Sequence, residues 1–84
     1  MRNTTVTVGR SDGLDARAIA LSVQTASRFC SEIHLSDGTR RMNAKSIMGM
    51  MALGLALGDS VTVEASGEDE EAALQAMSTF LAGE

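Results

Sequence analysis

Three short runs in which apolar and polar residues alternate, set between stretches of helical spacing, limit most tightly how this chain can fold. Thr4-Thr5-Val6-Thr7-Val8 is rich in β-branched residues and predicts a strand. Glu32-Ile33-His34-Leu35 predicts a second, with Ile33 and Leu35 inward. Ser60-Val61-Thr62-Val63-Glu64-Ala65 predicts another, with Val61, Val63 and Ala65 on one face. Strands apolar on one side only need a covering layer on that side and water on the other.

The intervening residues supply the cover. Gly9-Arg10-Ser11-Asp12-Gly13 breaks the first strand. From Ala16 to about Arg28, residues Ala16, Ile19, Ala20, Val23 and Ala26 recur on one helical face, and Asp15 stands just before as an N-cap. Ser36-Asp37-Gly38-Thr39 predicts a turn. Arg40-Arg41-Met42-Asn43 then returns as a short edge strand whose charges discourage further pairing. Ser46 caps a short helix through Ile47, Met48, Met50, Met51 and Leu53, with Gly54 just beyond its end. A last helix runs from about Asp69 to Ala82, acidic in its first turn and apolar along Ala73, Leu74, Met77, Phe80 and Leu81. The order βαββαβα, without linker or internal repeat, predicts one α+β domain over residues 1–84. It is an open-faced sandwich, a four-stranded antiparallel sheet with three helices on one face.

Composition narrows the function. With 84 residues the chain builds one small core, and its lone Cys30 closes no intrachain disulfide, which fits a reducing cytoplasm. No apolar run is long enough to span a membrane, and the first residues lack the apolar segment of a secretory signal. Residues 1–58 hold seven bases and four acids, whereas residues 59–84 hold seven acids and no base, for a net charge of −4. That balance argues against direct nucleic-acid binding, which rests on clustered bases. The mildly basic first part suits an acidic protein surface.

One histidine and one cysteine leave no material for a metal cluster or a Cys-His pair, so no metal and no cofactor is expected. His34 falls at an outward strand position and Cys30 near a helix end, both with surface or packing roles. Gly9 and Gly13 do not make a dinucleotide-binding spacing. Two helix starts remain, because unpaired N–H groups and the positive dipole end favour an anion there. One is Gly13-Leu14-Asp15-Ala16-Arg17, with Arg17 able to reach an anion at the cap. The other is Asn43-Ala44-Lys45-Ser46-Ile47-Met48, where a phosphate on Ser46 would sit at the positive pole. Either start also reads as an ordinary cap. The helix after Ser46 has more apolar surface than one buried face needs. Its surplus either docks a partner or packs beneath the Leu55–Leu57 loop.

At these residues the chain resembles a known family. Gly13-Leu14-Asp15-Ala16-Arg17-Ala18 is similar to the phosphorylation loop of HPr, the phosphocarrier of the bacterial sugar phosphotransferase system, whose motif is Gly-Leu/Ile-His-x-Arg-Pro. Val23-Gln24-Thr25-Ala26-Ser27, Asn43-Ala44-Lys45-Ser46-Ile47-Met48-Gly49 and Ser66-Gly67-Glu68-Asp69-Glu70 resemble HPr of low-GC Gram-positive bacteria, so the resemblance spans essentially the whole chain. It departs where Asp15 replaces the carrier histidine and Ala18 the following proline. The missing histidine with Ser46 kept looks like the catabolite-repression HPr branch, although this chain has aspartate where glutamine is usual there.

The resemblance implies a non-enzymatic regulatory phosphoprotein. Ser46 is then the target of the ATP-dependent HPr kinase/phosphorylase, and the phosphoprotein binds a LacI-type catabolite control protein. Ile47, Met48 and Met51 match the docking patch, and Arg17 matches a residue near the phosphate positions. Enzyme I and other sugar phosphotransferase proteins are further expected partners. Two alternatives stay open: Asp15 carries an acyl phosphate, or the unmodified protein binds constitutively with Asp15 as a fixed negative charge.

Overall fold

The computed structural model describes residues 1–11 and 13–83, which form four strands and three helices in the order β1 Arg2–Thr7, α1 Ala16–Ser27, β2 Glu32–Ser36, β3 Arg41–Asn43, α2 Ile47–Leu53, β4 Ser60–Ser66, α3 Glu70–Ala82. The strands make one antiparallel sheet in the order β1-β4-β2-β3. β4 therefore lies inside although it forms late in the chain, and β1 and β3 are the two edges.

The register follows from the period-two pattern. Val6 faces Val61, Ile33 faces Ala65, and Leu35 lies between Val63 and Met42. Ile33, Leu35, Val61, Val63 and Ala65 are buried beneath the helices. Burying a side chain the size of valine, leucine or isoleucine contributes about 1.5–3 kcal/mol. The opposite sheet face carries Thr5, Thr62, Glu32, His34, Glu64 and Arg41, where Arg41 Nε donates to Glu64 Oε1 at 2.7 Å. His34 is half-buried there, paired across the strands with Glu64 and Asn43. The four-stranded antiparallel sheet with helices on one face is the open-faced sandwich that the pattern of runs predicted.

Several strand boundaries and one helix face differ from expectation. β1 runs from Arg2 to Thr7, because β4 supplies partners from Ala65 back to Ser60; Val8 leaves the ladder and donates to Asp59 O instead. β3 begins at Arg41, since Arg40 N–H and O close the turn against Asp37. In α1 the buried residues are Ala18, Ile19, Ser22 and Ala26, with Val23 half-buried and both Ala16 and Ala20 exposed. The helix is rotated from the expected stripe because it packs against both α2 and α3. Close approach of three helices places small side chains, Ser22 included, at the contact.

Among the described residues no helix is long and apolar enough to cross a membrane.

Candidate functional site

The start of α1 is held from two sides. Asp15 has extended backbone and its Oδ1 accepts from Ala18 N at 2.8 Å, while its carbonyl accepts from Ile19 N. Such a cap is worth about 1 kcal/mol. Gly13, at φ 63°, donates to Arg10 O, and Leu14 N donates to Leu55 O at 3.3 Å. A Cβ on Gly13 would stand 3.3 Å from Ala56 Cα. The loop before α1 is thus pressed on the loop after α2. Asp15 and Arg17 are exposed, and no described residue pairs with the Arg17 guanidinium. The site offers one carboxylate oxygen outside the cap bond and one uncommitted cation.

The start of α2 is built similarly with a hydroxyl. Ser46 Oγ accepts from Gly49 N at 3.1 Å and its carbonyl accepts from Met50 N. In that arrangement the hydroxyl proton is not used by the cap. Gly49 lets the helix approach β3, since a Cβ there would meet Met42 Cβ at 3.3 Å. Asn43 Oδ1 accepts from Lys45 N, and Lys45 Nζ donates to Phe29 O at 2.7 Å. The first turn of α2 contains no acidic residue. Gly54 ends the helix in the left-handed conformation, φ 58° and ψ 42°.

These contacts orient the pair. Lys45, before α2, touches Phe29, just after α1; Leu14, before α1, touches Leu55, just after α2. The two helices run in opposite senses, so Asp15 and Ser46 stand at opposite ends of the α2 segment, about 10 Å of helix apart. The geometry does not bring them into one site. Between them lies the apolar outer side of α2, with Ile47 50%, Met48 82% and Met51 58% exposed. Met50 and Leu53 go into the core and Leu55 is buried, but Leu57 remains exposed. The surplus apolar surface of α2 is not covered by its following loop.

A third helix start carries a network that sequence reasoning missed. Asp69, in the N-cap position of α3, makes no side-chain cap bond. Its Oδ1 accepts from Ser31 N and from the Ser31 hydroxyl, and its Oδ2 accepts from Cys30 N at 3.0 Å. Those bonds, the Ser31 hydroxyl first, hold its carboxyl at a pKa of about 2, below the ordinary value of 3.8. Glu70 Oε1 accepts from Gly67 N at 3.0 Å, closing the turn before α3, and its pKa is lowered chiefly by that bond. The Gly67–Glu70 spacing is the one local signal.

Residues 2–83 match the family profile described as the PTS HPr component phosphorylation site, and the chain belongs to the HPr family of the bacterial sugar phosphotransferase system. Within that family it is 45% identical over 76 residues to the HPr-like protein Crh of Bacillus subtilis, spanning 90% of this chain and 89% of that protein. It is 49% identical over 73 residues to the phosphocarrier protein HPr of Xylella fastidiosa, spanning 87% and 82% of the two chains. The solved phosphocarrier protein HPr of Bacillus anthracis superposes with a TM-score of 0.92 at 39% identity, covering 95% of each chain. The protein is therefore an HPr-like member of the phosphotransferase and catabolite-repression proteins, similar to Crh.

Proposed function

We propose that residues 1–84 form a single HPr-like domain that works in the cytoplasm as a regulatory phosphoprotein, without enzymatic activity of its own. An ATP-dependent HPr kinase/phosphorylase phosphorylates Ser46, and the product binds a LacI-type catabolite control protein. The observation that carries this reading is the juxtaposition at α2. Ser46 caps the helix with a hydroxyl whose proton is uncommitted, and Ile47, Met48 and Met51 stand exposed beside it.

The chemistry follows from that placement. A phosphate adds about −1.5 to −2 charges at the positive end of α2, where its oxygens take over the N–H bonds now made by Oγ. No acidic side chain in that turn repels it. The outward oxygens form charge-assisted bonds with arginine on the partner, while the methionine side chains adapt to its apolar surface. Arg17, without a partner among the described residues, contributes a cation at the far end of the same face. The fold need not change.

Asp15 removes ordinary carrier chemistry. An imidazole takes and surrenders phosphate at low cost, whereas this carboxylate is shorter, already negative and committed at Oδ1 to Ala18 N. Enzyme I, shaped for the imidazole of other family members, finds no equivalent nucleophile here.

A second reading is favoured by the exposure of the α2 face and of Asp15 before any modification. In it the unmodified protein binds constitutively, and Asp15 is a fixed charge at the carrier position. Intact-mass spectrometry after incubation with ATP and an active HPr kinase, beside Ser46→Ala, separates the two. One added phosphate on the parent alone, with regulator binding that depends on it, is the expected result. Equal regulator binding by untreated protein, or no phosphate gained, leaves Ser46 a helix cap.

A further inference from the structure

Within four positions the chain carries three methionines, and the fold treats them in opposite ways. Met50 is fully buried, as is Met77 in α3, whereas Met48 is 82% and Met51 58% exposed. A thioether is oxidised by peroxide only where the oxidant reaches its sulfur, so burial divides these residues into reactive and protected groups. We infer that Met48, together with Met51, is a site of reversible oxidation by a hydroperoxide, and that the sulfoxide closes the α2 face to its protein partner. The closing effect rests on the docking reading above; the site of oxidation does not.

The step balances without any group from the protein. A lone pair on sulfur attacks one peroxide oxygen, the S–O bond forms and the O–O bond breaks. The proton of the transferred oxygen passes to the departing one, which leaves as water when the oxidant is hydrogen peroxide. Sulfur gives up two electrons and the peroxide takes them. A methionine sulfoxide reductase reverses the change, releasing the oxygen as water while two thiols become a disulfide.

The consequence differs for the free and the docked surface. A sulfoxide is strongly polar, and on a side chain as exposed as Met48 it is hydrated without disturbing the core. Covering it with a partner requires stripping that water from an unpaired polar group. The same oxygen on Met50 or Met77 would instead enter the core beneath the sheet. Met48 and Met51 thus combine reactivity with harmlessness to the fold.

Cys30 is an exposed thiol that also reacts with peroxide, so the test uses the Cys30→Ser protein phosphorylated on Ser46. Met1, 69% exposed and set beside Glu32 and His34 on the open sheet face, serves as a reactive methionine off the docking surface. After hydrogen peroxide, peptide mapping by mass spectrometry should find one oxygen on Met48, Met51 and Met1 before any on Met50 or Met77, with an unchanged circular dichroism spectrum. Affinity for the LacI-type regulator should fall about tenfold or more and return after reductase treatment. Met1→Leu should still show that fall. The double variant Met48→Leu, Met51→Leu, compared with its own untreated affinity, should show none.

Oxidation of Met50 or Met77 as early as Met48 overturns the site, and undiminished affinity of the oxidised protein overturns the switch. If untreated phosphoprotein fails to bind the regulator, the docking reading falls and the switch with it, while the peptide map alone still decides the site.

Discussion

The starts of α2 and α3 look alike in sequence, each a polar residue before a helical run, yet the fold uses them in opposite ways. Ser46, half-buried, spends its oxygen on its own helix and leaves its hydroxyl proton outside the cap. The Asp69 side chain gives nothing to its own helix and both carboxylate oxygens to the entrance of β2, 38 and 39 residues earlier in the chain. One start is local, accessible and cheap to alter; the other is a long-range tie. The regulation proposed for Ser46 calls for a site that changes without unfolding the protein, and of these two starts the α2 start meets that condition.

The comparison is broken most severely at Asp69. Asp69→Ala strands the buried Ser31 hydroxyl and N–H and releases α3 from β2. Its melting temperature, measured by circular dichroism, should fall well below that of Ser46→Ala. Ser46→Ala loses a cap worth about 1 kcal/mol, or about 4–8 °C in a domain of this size, and on the proposed modification should gain no phosphate from the kinase.

Acid sharpens the contrast. The carboxyl of Asp69 is held at about 2 when folded against an ordinary 3.8, so its contribution is complete above about pH 4 and is lost as pH falls toward 2. Asp37, held at about 2 by N–H groups of Arg40 and Thr39, adds to the same window. Denaturant titrations of the parent should show stability declining between about pH 4 and 2. Asp69→Asn should show a smaller decline over that range.

The smallest effect on stability belongs to Met48→Gln, which replaces an exposed side chain and should move stability by less than about 0.5 kcal/mol. It should nonetheless weaken docking of the phosphorylated protein, read by calorimetry against the regulator. A large stability loss here would show that the α2 face belongs to the core.

Local signals carried much of the fold. The period-two runs identified β2 and β4, and Asp15, Ser46 and Gly54 punctuate their helices as their chemistry dictates. What stayed hidden depended on distant partners. The tie from Asp69 to Ser31 spans 38 residues, and the Lys45 bond to Phe29 O spans 16. The face of α1 was misjudged because alanine is compatible with either side of a helix. Only the packing of α2 and α3 decides that Ala18 and Ser22 go in while Ala16 and Ala20 stay out. At the candidate site, the residues were legible in Asn43 to Met51, but the separation of Asp15 from Ser46 by the length of α2 was not.

The brevity of α2 sets the traffic this molecule can carry. An interface of ordinary size takes about 800 Å² from each side, a disc about 16 Å in radius. The whole of α2 is about 10 Å long. A guest centred on Met48 therefore shadows the ends marked by Asp15 and by Ser46 together. On the proposed docking, visitors to this face would queue: each would exclude the next, so abundance and affinity would apportion its time among them, and no ternary assembly would form there.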